Sequence, residues 1–310
     1  MIMKRNKQQL FYEYFAEWID LYKRDAVRTV TLNKYLISLK WVRRIAPSLY
    51  LKDLNKRAYQ EIINEYALTH EHQTTLDFHH QIKGAILDAV DEELIPINPT
   101  RNAVIKGKKP REKKLKFLNE AELQKLIRQL DLGPEINWDW FLLLIIKTGL
   151  RFSEALAVTP NDFDFQTQML RINKTWDYKS VQGSFQKTKN ESSVRSVRID
   201  WKLAMQFSQL ISGLPEDQPI FVSDKRIFNS TINQHLKSLC NKAGVPVISV
   251  HGLRHTHASI LLYGNVSIAT VAQRLGHSSI TTTQETYIHI IRELEAKDSE
   301  RIMEEMAKLM

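Results

Sequence analysis

Sixteen consecutive residues, 101–116, decide how this chain can fold. They carry Arg101, Lys106, Lys108, Lys109, Arg111, Lys113, Lys114 and Lys116 against Glu112 alone, with Gly107 and Pro110 among them and no apolar period. A segment of that composition has no face to bury, so it reads as an extended linker between two folded units. Its net +7 accounts for most of the +9 of the whole 310-residue chain, because residues 1–100 and 117–310 are each within one charge of neutral. Such a linker is either a solvated spacer or a strap along a phosphate backbone, where each neutralised phosphate releases condensed counterions.

Before the linker, apolar residues recur at helical spacing. Phe11, Tyr14, Phe15, Trp18, Ile19 and Tyr22 make one stripe, and Leu32, Tyr35, Leu36 and Leu39 a second behind a capping candidate, Thr31. Tyr59, Ile62, Ile63 and Tyr66 form a third, and Leu76, Ile82, Ile86, Ala89 and Val90 a fourth behind Thr74 and Thr75. Four amphipathic helices predict a small all-α domain over 1–100, closed by Pro96 and Pro99. His79 and His80 read as surface or groove decoration.

After the linker, Asn119 and Glu122 predict a capping box. Residues 138–147 are apolar nearly all round and predict a buried central helix. Residues 169–172, 184–188 and 194–199 predict short strands, with Val194, Val197 and Ile199 as the apolar positions of the last, and helices return from Thr231. The fold class expected is mainly α with a small antiparallel sheet. The longest apolar run, Trp140 to Ile146, is far short of the ~20 residues of a membrane-spanning helix. The N-terminus leads into no signal-like apolar stretch, so a soluble, cytoplasmic protein is expected. Cys240 is the single cysteine, which excludes an intrachain disulfide and any cysteine-built metal centre.

Three segments of the second unit carry chemistry. Thr148-Gly149-Leu150-Arg151-Phe152-Ser153-Glu154 sets an arginine in a turn behind the buried helix. His251-Gly252-Leu253-Arg254-His255-Thr256 is an H-x-x-R segment, and Leu275-Gly276-His277-Ser278-Ser279 is followed by Tyr287, ten residues after its histidine. Together, in this order, they resemble the tyrosine recombinase (phage integrase) family: an arginine in a helix-turn, H-x-x-R, a later G-H and a tyrosine near the C-terminus. The resemblance spans the chain. It implies a C-shaped clamp of a helical (SAM-like) core-DNA-binding domain over 1–100, a basic linker, and an α+β catalytic domain over 117–310 ending in a helix at 289–310. Many integrases carry a further N-terminal arm-binding domain; the expectation here is either a protein without that domain or a chain from which it has been removed.

The residue types suit phosphodiester chemistry. Attack at phosphorus concentrates charge on the non-bridging oxygens, and two guanidiniums hold such oxygens through permanently charged, bidentate contacts. Arg151 and Arg254 are the candidates, with Glu154 orienting an arginine or a histidine. A phenol near pKa 10 needs a cationic pocket and a proton acceptor to act as nucleophile. Tyr287 is that nucleophile by resemblance, with His251 as base or phosphate ligand and His277 as a donor to the phosphate. The family's general acid is a hairpin lysine; Gln186-Lys187-Thr188-Lys189 assigns Lys187, with Lys189 the alternative because strand alternation puts both on one face. Lys106, Lys108, Lys109, Arg111, Lys113, Lys114 and Lys116 are the expected phosphate contacts. His251 and His255 are four apart, a spacing open to zinc, but no carboxylate or cysteine pair completes a site. No metal and no cofactor are expected.

The resemblance implies integration and excision of a phage or conjugative element. It also implies double-stranded core-site DNA as partner, a tetramer on two DNA sites, an excisionase or DNA-bending accessory protein, and association with the nucleoid when active. Resolution of chromosome or plasmid dimers is the alternative within the family. A non-catalytic DNA-binding descendant and a type IB topoisomerase are the alternatives outside it.

Overall fold

The computed structural model describes residues 8–288, apart from 110–116, 181, 189, 224 and 225, together with Ile290 and 306–308. The chain divides into two compact units, Met1–Lys113 and Lys114–Met310.

The first unit is built from α1 (Phe11–Tyr22), α2 (Thr29–Ile45), α3 (Lys56–Ala67) and α4 (His72–Asp91). The four apolar stripes meet in one core containing Phe11, Phe15, Ile19, Tyr59, Ile63, Phe78 and Ile82. Asn55 caps α3 by accepting from the backbone N–H groups of Arg57 and Ala58. The three expected threonine caps are not caps, Thr74 being the third residue of α4. Thr31 lies inside α2, which opens at Thr29, and Thr75 lies inside α4, where its hydroxyl donates to Glu71 O one turn back. His79 is buried rather than decorative: the Tyr59 hydroxyl lies 2.7 Å from its Nδ1, while His80 stays exposed.

The described part of the basic segment is irregular yet tied down. Val104 N–H donates to Gln60 Oε1 at 2.9 Å, and Gln60 Nε2 donates back to Val104 O at 2.8 Å. Lys108 N–H donates to His70 O at 2.8 Å, forming part of a bridge between Glu71 and Lys108. Residues 103–108 therefore lie against α3 and the start of α4 within the first unit, a firmer attachment than the extended linker expected from composition. Lys106, Lys108 and Lys109 keep exposed side chains, whereas Arg111, Lys113, Lys114 and Lys116 lie outside the described residues.

The second unit opens with α5 (Glu120–Ile127), whose capping box pairs Asn119 with Glu122 in both directions. α6 (Trp138–Thr148) is buried from Trp140 through Ile146, as a helix apolar all round must be. After α7 (Phe152–Leu156) come β1 (Phe163–Asp164), β2 (Met169–Ile172), β3 (Lys174–Trp176), β4 (Phe185–Lys187) and β5 (Arg195–Arg198). They form an antiparallel three-stranded sheet in the order β1-β2-β5 and a separate antiparallel β3–β4 pair. α8 (Trp201–Leu210), α9 (Asn229–Ala243), α10 (Val250–Tyr263) and α11 (Ile268–Leu275) follow, and 280–288 is helical. α8 was not expected from sequence. Its buried Leu203, Ala204 and Phe207 share the helix with exposed Trp201 and Met205, which blur its apolar period. Most of the C-terminal helix expected at 289–310 lies outside the described residues. Among the described residues, no helix is long and apolar enough to cross a membrane.

Candidate active site

Two left-handed glycines build the pocket. Gly149 ends α6 at φ 70°, and a Cβ there would sit 2.7 Å from His257 Cδ2, so both conformation and space demand glycine. The turn it makes delivers Arg151 to the N-terminal edge of α7. Gly276 ends α11 at φ 68°, where a Cβ would meet Arg195 Nη1 at 2.8 Å. Each glycine then turns its carbonyl to an arginine. Arg254 donates from Nη1 to Gly149 O and from Nη2 to Leu275 O, both at 2.6 Å, and Arg151 Nη2 donates to Gly276 O at 2.8 Å. Carbonyls at helix C-termini carry partial negative charge, so these are favourable seats for guanidiniums.

Glu154 joins this arrangement to β5. Its buried carboxylate takes Arg151 Nη1 at 2.6 Å and the Arg151 backbone N–H at 3.0 Å. From the other side it takes Arg195 Nη2 at 2.9 Å and Nη1 at 3.3 Å. Burial alone would raise the Glu154 pKa, but the Arg195 and Arg151 charges and hydrogen bonds outweigh it and hold the group below the usual carboxylate range. Arg195, 6% exposed, also donates to Arg274 O at 2.7 Å and to Ser193 O at 2.9 Å. Three guanidiniums around one carboxylate leave a net positive pocket suited to an anion. Arg254 lies deepest; burial first, then the Arg151 charge, pushes it down to about 9, so it stays cationic at neutral pH.

α10 supplies the histidines. Ser249 caps it, and positions 251, 254 and 255 fall on one face by the i, i+3, i+4 rule. The His251 ring meets His255 edge-on at 4.6 Å between centroids, and His255 Nδ1 lies 2.8 Å from the Tyr287 hydroxyl. His257, on another face, is pinned between Ile146 O and Arg274. Because Arg274 Nε can only donate to His257 Nε2, the ring carries its proton on Nδ1 and gives it to Ile146 O. His277 follows Gly276, and its Nδ1 lies 2.8 Å from the buried Thr283 hydroxyl. Desolvation and the surrounding arginines lower the pKa of His251 and bring His277 down to about 4. Tyr287 is 1% exposed; burial raises its phenol, and Arg254 offsets part of that rise.

Arg151, His251, Arg254, His277 and Tyr287 thus converge from four elements. Lys187 is an exposed residue of β4, in register with Lys174 of β3, whereas Lys189 lies outside the described residues. Lys174 itself pairs with Asp162, Nζ to Oδ2 at 2.5 Å. Sequence reasoning missed two contacts, Arg195 with Glu154 and His255 with Tyr287. The first had a signal: Arg195 shares a strand face with Val197 and Ile199, so a charge is aimed inward and must find a partner. Among the described residues, no group of three or more His, Cys, Asp or Glu side chains is placed to hold a metal ion.

The phage integrase family model matches residues 116–293, which span the whole of this pocket. The chain belongs to the phage integrase family of tyrosine recombinases. This recombinase is 25% identical to the integrase of Staphylococcus phage L54a, over 94% of its own length and 93% of that protein's. It is 28% identical to the ICEBs1 integrase of Bacillus subtilis, over 65% of its own length and 57% of that protein's. Its fold is similar to that of the Tn1549 transposon integrase in complex with transposon right end DNA. The TM-score is 0.76 at 17% identity, covering 95% of this chain and 100% of that one. It is also similar to a lambda integrase tetramer bound to a Holliday junction, with a TM-score of 0.63 at 17% identity, covering 89% and 79%.

Proposed function

We propose that this site-specific recombinase integrates and excises a mobile element, using Tyr287 as its nucleophile. The observation that supports the reading best is the Arg254 seat. A guanidinium fixed at 2.6 Å on two carbonyls stands beside the buried phenol and the Arg151–Glu154 pair. In the cleavage step the Tyr287 oxygen forms a bond to phosphorus, and the bond to the 5′-oxygen breaks. The phenol proton passes to a base, for which His251 is the candidate. The leaving oxygen takes a proton from Lys187. Arg151, Arg254 and His277 hold the non-bridging oxygens as their charge grows. The bond energy stays in the 3′-phosphotyrosine until the 5′-hydroxyl of the partner strand attacks it, so no nucleotide hydrolysis is needed.

The near full-length match to a phage integrase favours an element integrase over a dimer resolvase. Core-site DNA is the substrate, with the first unit and the basic segment on the duplex. The working species is four protomers on two sites, a reading supported by the fold shared with a lambda integrase tetramer bound to a Holliday junction. An excisionase or bending protein sets direction. Nicked suicide DNA carrying the sequence at the element's ends should yield a covalent protein–DNA band on a denaturing gel. Tight binding with no such band would instead indicate a non-catalytic DNA-binding descendant.

A further inference from the structure

The H-x-x-R segment continues into a second histidine that the assignments above leave without a task. His255 is half-buried on α10, one turn beyond His251, with its ring between that of His251 and Tyr287. Its Nδ1 is 2.8 Å from the phenol oxygen, and no other side chain is recorded in a hydrogen bond to that oxygen among the described residues. Burial first, then the His251 and Arg254 charges, lower the ring's pKa to about 4. The ring is therefore neutral at physiological pH, with one nitrogen free to accept.

We infer that His255 positions the nucleophile: with the proton on Nε2, its Nδ1 accepts the Tyr287 hydroxyl and fixes where the phenol oxygen stands. The inference rests on Tyr287 being the nucleophile. Geometry is the main support. Tyr287 sits on a helical segment whose inward residues, Thr283, Tyr287 and Ile290, are otherwise held by apolar packing and one histidine contact. Apolar packing holds the body of the ring, and a hydrogen bond at its polar tip resists the tilt and slide of the ring that would carry the oxygen away from its place. This is a role in the resting site: the phenol proton leaves the hydrogen bond for the base, for which His251 remains the candidate, only as the bond to phosphorus forms. Placement matters at this level because misplacing a reacting atom by ~1 Å costs on the order of 10²-fold in rate.

The test is single-turnover formation of the covalent adduct on nicked suicide core-site DNA, with binding followed separately by anisotropy. Four variants are compared with the native chain: His255→Phe, His255→Asn, His255→Gln and Tyr287→Phe. Asparagine offers an amide oxygen near the position of Nδ1, whereas glutamine reaches toward that of Nε2. His255→Phe and His255→Gln should bind with native affinity and cleave about 10²-fold more slowly. His255→Asn should stay within about ten-fold of native, since the acceptor survives. Native rates in His255→Phe or His255→Gln would overturn the inference. So would an Asn variant as slow as Phe while binding normally, which would make His255 the proton acceptor itself. Should the Phe variant fail to bind or melt cooperatively, the Asn and Gln pair, isosteric in turn with the two halves of the ring, still decides. Tyr287→Phe separates this failure from that of the underlying reading, because an adduct persisting there would remove the nucleophile assignment whatever the His255 variants do.

Discussion

Each unit of this recombinase buries a tyrosine against a histidine, and the two pairs are nearly the same locally. Tyr59 and His79 meet at 2.7 Å in the helical unit, and Tyr287 and His255 at 2.8 Å in the second unit. Burial raises both phenols, and both rings are brought down to about 4. The difference lies one layer out. Tyr59 shares its core with Ile62, Ile63, Phe78 and Ile82, and burial raises its phenol with no guanidinium to offset the rise. Tyr287 has the Arg254 guanidinium pulling its phenol back toward ionisation, and Arg254 sits on Gly149 O and Leu275 O, next to the Gly276 carbonyl that takes Arg151. A Tyr–His pair is therefore a packing motif by default. On the proposed mechanism, permanent positive charge, seated on helix-terminal carbonyls, is what equips Tyr287 for phosphoryl transfer.

The comparison breaks most sharply at the hydroxyls. Tyr287→Phe should form no adduct on suicide DNA at native binding affinity, whereas Tyr59→Phe should cleave at the native rate, both read on a denaturing gel. Tyr59→Phe should lose only stability, about 1 kcal/mol for one hydrogen bond, measured by urea unfolding. Next in size is the charge itself. Arg254→Lys replaces the planar two-pronged donor seated on Gly149 O and Leu275 O with a point charge on a shorter reach, and cleavage should fall by about 10²–10³. His79→Asn, the helical-unit counterpart of His255→Asn, should leave the cleavage rate unaltered.

Glu154→Ala tests how the charges are held. It strands Arg195, whose side chain is almost fully buried, and leaves Arg151 held through Gly276 O without its carboxylate, so the second unit should lose about 3–5 kcal/mol. A loss below about 1 kcal/mol in calorimetry would mean the arginines are solvated and the carboxylate incidental.

The smallest effect is on acid sensitivity. His255, His257 and His277 in the second unit, and His79 in the first, have folded pKa values of about 3–4 against about 6.5 when unfolded. Between those values the unfolded chain binds more protons, so stability rises with pH across that window and falls on acidification. With three such rings against one, the second unit should lose more protection than the first between pH 7 and pH 5 in amide hydrogen exchange, corrected for intrinsic rates. Equal losses would show that the second-unit rings take up protons in place.

The candidate residues of this site were named in the sequence through the family resemblance, and the local geometry that holds them came with the structure: Arg254 and His251 share a helical face, and Gly149 and Gly276 end helices. The buried α6 follows from an unbroken apolar run. What escaped depends on long-range meetings. Arg195 reaches Glu154 across 41 residues and His255 reaches Tyr287 across 32, and no local period encodes either distance. Thr31 and Thr75 were misread because a hydroxyl near a helix start can cap it or bond back within it, and the choice is made by where the preceding turn docks. The anchoring of residues 103–108 escaped for a related reason. Gln60 satisfies the backbone of Val104 from another element, and basic composition alone gives no hint of it.

The central claim is that cationic seating, rather than the Tyr–His contact, selects the nucleophile. The most direct test traps the native chain on nicked suicide DNA, digests the covalent complex with nuclease and trypsin, and maps the nucleotide-bearing peptide by tandem mass spectrometry. The account predicts a single modified residue, Tyr287, with Tyr59 unmodified. Label on Tyr59, on the exposed Tyr263, or on any residue remote from Arg254 and Arg151 would contradict it.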